Sequence, residues 1–257
     1  MAYHGKNGNV KFTTALVNIG NWSASTSADI DDATAMGDEW AEHLVGHTDF
    51  SASAEGKSKK ELDTPALIGS TGTLSLVFEG AASTGGPHLS GAAILTSLTE
   101  TVDHEATATL SYSFEGNSAA GLVYSATGGD LATGVADAFH GKACSANFNG
   151  AIANVRGWSV TMSCTTDETT IAGQTGKTRL AGQNTAEATL TCLADGAPQI
   201  TYGDQQTLNL NRTATPADGY YEGTATCTGA EPGTDKDGVA TISFSFQFTG
   251  EVQIKTT

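Results

Sequence analysis

His43 and His47 stand four residues apart, with Glu39 and Glu42 beside them. On one helix face these donors could hold a metal ion. The order is Glu-His-Leu-Val-Gly-His, not the His-Glu-x-x-His of zinc proteases, and Val45-Gly46 disfavours a helix. A loop with two solvated histidines accounts for the pair. Asp29, Asp31 and Asp32 begin like a calcium loop but lack its glycine and closing glutamate. The chain has no Gly-x-x-x-x-Gly-Lys loop, no Gly-x-Ser-x-Gly elbow and no dinucleotide fingerprint. Asn21-Trp22-Ser23 and Asn211-Arg212-Thr213 fit the glycosylation pattern, which matters only in a secretory compartment. Cys144, Cys164, Cys192 and Cys227 include no Cys-x-x-Cys pair, so zinc is not expected. They read as free thiols in strands, in a reducing cytosol. The expectation is no enzyme, no cofactor and no metal.

What positions these residues is a repeat. His4-Gly5-Lys6 returns as His140-Gly141-Lys142, and Trp22-Ser23 as Trp158-Ser159, each 136 residues later. Phe12, Asn18, Gly37, Leu44 and Gly46 recur at the same offset as Phe148, Asn154, Gly173, Leu180 and Gly182. Near the end of each half, Ala108–Phe114 matches Ala240–Phe246 at an offset of 132. Two colinear blocks at nearly one spacing indicate an internal duplication, too long for a solenoid unit. The expected division is a first domain at 1–116, a Gly/Ala/Ser/Thr-rich linker at 117–139 and a second domain at 140–257. His4, Gly5, Lys6, Trp22, His140, Gly141, Lys142 and Trp158 are taken as repeat-defining structural residues.

Two domains of ordinary size fit within 257 residues. The chain carries 28 acidic and 12 basic side chains, a net charge of −16. Both halves are acidic: residues 1–116 hold 15 acids and 5 bases, and 117–257 hold 13 and 7. That excludes attraction to phosphate backbones as a bulk property. No run of 18 apolar residues exists, and the first residues lack a signal sequence, so synthesis in the cytoplasm and no membrane are expected.

Glycine, threonine, serine and alanine abound, and helical periodicity is scarce, which predicts an all-β (mainly β) fold. The expected form is two tandem β-sandwich or barrel domains of one fold. Trp158, Val160, Met162 and Cys164 share one face of a strand, as do Ile242, Phe244, Phe246 and Phe248. Strands are also predicted at 10–13, 15–19, 50–56, 72–79, 88–100 and 105–114. Glu61–Ile68 carries the start signal of a short helix. Asp29–Asp49 has few strand formers and reads as an extended loop, a kind of segment that is often an interface.

The first half resembles the major tail (tail tube) proteins of long-tailed bacteriophages. The resemblance rests on an ordered series of pieces. His-Gly-Lys is followed by Trp22-Ser23 and by Thr34-Ala35-Met36-Gly37-Asp38-Glu39-Trp40. Leu44-Val45-Gly46, Phe50–Gly56, Gly91–Ser97 and Leu110–Gly116 complete it. The second half keeps His-Gly-Lys, Trp158-Ser159 and the closing strand but loses Gly-Asp-x-Trp. The resemblance implies a non-catalytic virion protein whose copies join sheets into rings, stacked into a tube for DNA passage and bound to other phage tail proteins. Six domain copies per ring are common in that family, so a doubled chain implies trimeric rings with pseudo-sixfold symmetry. DNA then passes without specific binding along an acidic inner wall. Trp40 and Leu44 are the expected contacts with a neighbouring subunit, as large apolar residues in a polar segment. A capsid decoration protein and a secreted tandem Ig-like module are the rival readings.

Overall fold

The computed structural model describes residues 8–16, 18–37, 39–59, 68–78, 86–129, 137–194, 200–214, 218–234 and 238–255. Among the described residues the regular elements are strands, apart from one 3-10 turn at Gly141–Ala143. The strands are β1 (Asn9–Phe12), β2 (Thr14–Leu16), β3 (Ile19–Asp32), β4 (His43–Lys57) and β5 (Thr71–Val77). There follow β6 (Gly86–Asp103), β7 (Thr109–Gly116), β8 (Val123–Gly129), β9 (Ser145–Phe148) and β10 (Ala151–Ile152). The chain closes with β11 (Val155–Glu168), β12 (Arg179–Leu193), β13 (Gln205–Asn211), β14 (Tyr220–Gly233) and β15 (Thr241–Lys255).

The bounds follow the repeat spacing. β9, β11 and β12 begin 136 residues after β1, β3 and β4, and β15 begins 132 after β7. Even strained backbone recurs: Thr13 and Asn18 have φ of 60° and 58°, and Asn149 and Asn154 have 55° and 57°. A left-handed residue costs energy when it is not glycine, so its return at the same offset marks the same turn.

Eight strands run side by side in the order β3-β4-β7-β6-β11-β12-β15-β14, all antiparallel. Side chains alternate across such a sheet. One face carries Ala54, Leu98, Phe114, Val160, Leu190 and Phe246, all buried. The short strands fold over that face. β1 and β5 bring Val10, Phe12, Leu74 and Leu76 onto the first core, and β9 and β13 bring Ala146, Phe148, Leu208 and Leu210 onto the second. β6 serves both layers: His88–Ile94 pairs with β5, and Ser97–Asp103 pairs with β11. A bulge at Thr96 separates the two stretches, and its hydroxyl donates to the Ser113 carbonyl at 3.2 Å. Bulges redirect a strand in this way. Thr228 repeats the device in β14, donating to the Ser245 carbonyl at 3.1 Å.

Several expectations need correction. Asp29–Asp49 is not an extended loop. Asp29–Asp32 ends β3 and His43–Asp49 begins β4, so a long hairpin crosses the segment, and of the described residues only 33–37 and 39–42 form its tip. Backbone pairing between the two arms overrides their poor strand propensity. Residues 123–129, expected in a linker, form β8 and pair with β6. The predicted strand at 105–114 starts only at Thr109, because Asp103 turns the chain by accepting from the Glu105 and Ala106 amides. The expected helix at 61–68 lies outside the described residues except for Ile68.

Candidate functional surface

The second face of the eight-stranded sheet is chemically uniform. In one rung, Ser23, Ser53, Ser113, Ser97, Ser163 and Thr185 stand side by side across six strands. None of them is buried. Neighbouring hydroxyls hold one another: Ser23 to Ser53 at 2.8 Å, Ser159 to Thr189 at 2.7 Å and Thr99 to Thr161 at 3.1 Å. Such cross-strand pairs are the unit of sheet stability. Glu55, Glu187 and Glu231 are exposed among the hydroxyls. Lys57 sits at the end of a rung, and the Arg179 guanidinium is taken up by Asp49 and Glu115. The face is therefore polar, weakly acidic and poor in free cations.

The two halves meet where β6 pairs with β11, from Asp103 opposite Gly157 to Ser97 opposite Ser163. A buried polar cluster closes this joint. Glu100 points to the apolar side between Leu110 and Val160. Its carboxylate accepts from Arg212 Nε at 2.9 Å, Ser58 Oγ at 2.5 Å and Tyr221 Oη at 2.5 Å. Arg212 also donates to the Lys59 carbonyl at 2.6 Å and lies 4.5 Å over the Phe139 ring. Ser58, Glu100, Arg212 and Tyr221 are each at most 2% exposed. Burial first, and the Glu100 charge second, push the Tyr221 hydroxyl well above the ordinary tyrosine range, so it remains a donor. Sequence reading missed this cluster. Its signal was a charge breaking the alternation Leu98-x-Glu100-x-Val102, matched by Leu208-x-Leu210-x-Arg212.

Outside the core, the tip of the β11–β12 hairpin lies against the first half. Thr48 accepts from the Lys177 amide and donates its own amide to Thr175, at 2.8 and 2.7 Å. Lys177 reaches Asp29 at 3.2 Å. Gly176 packs so closely here that a Cβ would lie 2.1 Å from the Ser118 carbonyl oxygen.

The matching edges on the other sides are open. Among the described residues, β3 pairs only with β4, and Gly229–Gly233 of β14 pairs only with β15. Trp22 pairs with Ala54 as Trp158 pairs with Leu190. Trp158 is 3% exposed under the β6 joint, while Trp22, at an open edge, is only half-buried.

Trp40 lies in the tip of the first hairpin and Leu44 at the start of β4, and they are 85% and 63% exposed. Met36, fully exposed, joins them. His140 caps the 3-10 turn by accepting from the Lys142 amide at 3.1 Å. Gly141 is needed there because a Cβ would meet the Asp103 carbonyl oxygen at 2.1 Å. His4, Gly5 and Lys6 lie outside the described residues. Cys164, Cys192 and Cys227 are buried and Cys144 is half-buried; burial raises the Cys144 and Cys192 thiols to about 11. Among the described residues no group of three or more His, Cys, Asp or Glu is placed to hold a metal ion. No helix there is long and apolar enough to cross a membrane.

No protein-family model matches the chain, and no curated protein matches it. Among solved structures it is similar to a chain of the virion of a native gene transfer agent particle. That match has 20% identity, covers 49% of this chain and 100% of the other, and has a TM-score of 0.39. It is also similar to a chain in the tail of an empty gene transfer agent particle with C6 symmetry. There the identity is 15%, the coverage is 44% of this chain and 95% of the other, and the TM-score is 0.38.

Proposed function

We propose that this chain is a structural tail-tube subunit of the long-tailed-phage type, two copies of one β domain that close in threes into a pseudo-sixfold ring. The observation that carries the reading is the β6–β11 joint together with its two open counterparts. One chain holds one complete joint and one side each of a second. If β14 of one chain pairs with β3 of the next as β6 pairs with β11, the contact is head-to-tail and repeats until it closes. Six domains then need three chains. Closure also covers both bare edges, which would otherwise be templates for aggregation.

The hydroxyl face lines the channel in this reading. A duplex sliding past it meets neutral groups and a few carboxylates, and no fixed array of Lys and Arg gains affinity from released counterions. Screening limits repulsion to about 10 Å at 0.1 M salt, enough to act across a close-fitting wall. The hairpin end bearing Trp40 in its tip and Leu44 at the start of β4 reaches a neighbouring subunit, as the second tip reaches the first half. Its contacts differ in detail, because Trp40 stands where the second tip has the packed Gly176. Catalysis has no part in this reading.

Negative-stain microscopy of purified protein, with native mass spectrometry of the rings, tests it. Stacked hollow rings of three chains are expected. Hexamers of the full chain would overturn the stoichiometry. Trimers that bind capsid shells would make it a decoration protein, and persistent monomers a binding module.

A further inference from the structure

We propose that the Glu100–Arg212 cluster is a pairing key that tells the two kinds of joint in the ring apart, an inference that rests on the tube reading above. The repeat supplies a counterpart for each of its four side chains. Ser58 corresponds to Ala194, since their amides donate to the Ala108 and Ala240 carbonyls at 3.0 and 2.9 Å. Glu100 corresponds to Pro232, which stands opposite Ile242 as Glu100 stands opposite Leu110. Tyr221 corresponds to Leu89, paired with Leu210 and Leu76 respectively. Arg212 corresponds to Phe78, which follows Val77 as Arg212 follows Asn211; those two pair with Asn9 and Ser145 at the starts of β1 and β9. The joint between chains therefore gathers Pro232, Phe78, Leu89 and Ala194, with no charge among them.

The outer lock diverges in the same way. Arg179 with Asp49 and Glu115 belongs to the joint within the chain. At offsets of 136 and 132 its counterparts are His43, Thr185 and Gln247, which cannot form an Arg–carboxylate pair.

Each edge thus rejects the wrong mate. A β6 edge that received β3 of another chain would set Glu100 against Phe78 and bury a carboxylate without a cation. A β14 edge that received β11 would set Arg212 against Pro232 and bury a guanidinium without an anion. Both are heavily penalised, whereas charged-with-charged and apolar-with-apolar joints are not. The partner that fits the open edges is the complementary edge of a second copy of this chain. Joints then alternate around the ring, and first halves never pair with first halves.

Cysteine pairs in the full chain test the assignment. Transferred from Ser159 opposite Thr101, the register between chains puts Ser23 opposite Gly233. Ser23→Cys with Gly233→Cys, in a Cys144→Ser background, should give chains cross-linked in threes on oxidation. Ser23→Cys with Thr101→Cys should give only a trace. Removing the key by S58A, E100L, R212M and Y221F should raise that wrong cross-link at least tenfold. A wrong cross-link already strong with the key intact, or unchanged without it, would overturn the key while leaving the tube reading standing. Rings without the Ser23–Gly233 cross-link would overturn the register; no rings and no cross-link would overturn the tube reading itself. Independently of how the four-fold variant folds, Pro232→Glu should lower ring yield at least tenfold without lowering the monomer's melting temperature, and adding Phe78→Arg should restore it. Normal ring yield from P232E would sink the key.

Discussion

The Arg179 guanidinium closes on both carboxylate oxygens of Asp49, with N–O distances of 2.8 and 2.5 Å, and so ties the start of β12 to β4. The hydrogen bond from Arg179, outweighing partial burial, holds the Asp49 carboxyl below the ordinary carboxylate range. A depressed acid contributes stability above its unfolded value, and that contribution is lost as pH falls through the folded value. Asp49→Asn should therefore lower the melting temperature at pH 7. The gap to the natural chain should shrink as pH drops below the unfolded carboxylate value of about 4. A gap that is constant from pH 7 to pH 2 would assign Asp49 no such role.

Arg212→Met leaves Glu100 buried without its cation. It should cost about 3–5 kcal/mol in chemical denaturation, the usual penalty for breaking a buried pair from one side. Glu100→Leu with Arg212→Met removes both charges and should recover most of that loss. If the double variant were as unstable as the single, lost packing rather than an orphaned charge would be the cause.

Trp40→Ala changes an exposed side chain and should shift monomer stability by no more than about 0.5 kcal/mol. Tube yield should nevertheless fall tenfold or more, read by sedimentation of polymer from monomer. A normal yield would remove Trp40 from the contact between subunits.

Ser113→Lys with Thr161→Lys places two cations on the hydroxyl face in every chain. Tubes of this variant should retain duplex DNA at low salt and release it as salt rises, whereas natural tubes retain none. Equal retention by both would mean that this face is not the channel wall, or that wall charge does not govern sliding.

The β content and the tandem strand runs were legible because alternation is local. Ile242–Phe248 and Trp158–Cys164 declare an apolar face within seven residues. The hairpin arms at Asp29–Asp32 and His43–Asp49 were not legible. Their acids, histidines and glycine are poor strand formers, and what holds them is the opposite arm. The buried cluster was hidden for a related reason. Glu100 and Arg212 are 112 residues apart, so each alone reads as a stray charge until the fold brings them to 2.9 Å. The hydroxyl face sat in plain view as serine and threonine at every second position. Composition alone could not say that six strands would align those positions into one rung.

Glu100 also matters in time. The ribosome completes β6 and β7 long before it reaches residue 212. During that interval the nascent first half displays the β6 edge with an unneutralised carboxylate on its inward side. An inward charge on a bare edge is how natural sheets keep strangers from docking. On that argument, half-made neighbouring chains should be slow to zip together along β6 until the second half emerges and supplies the cation.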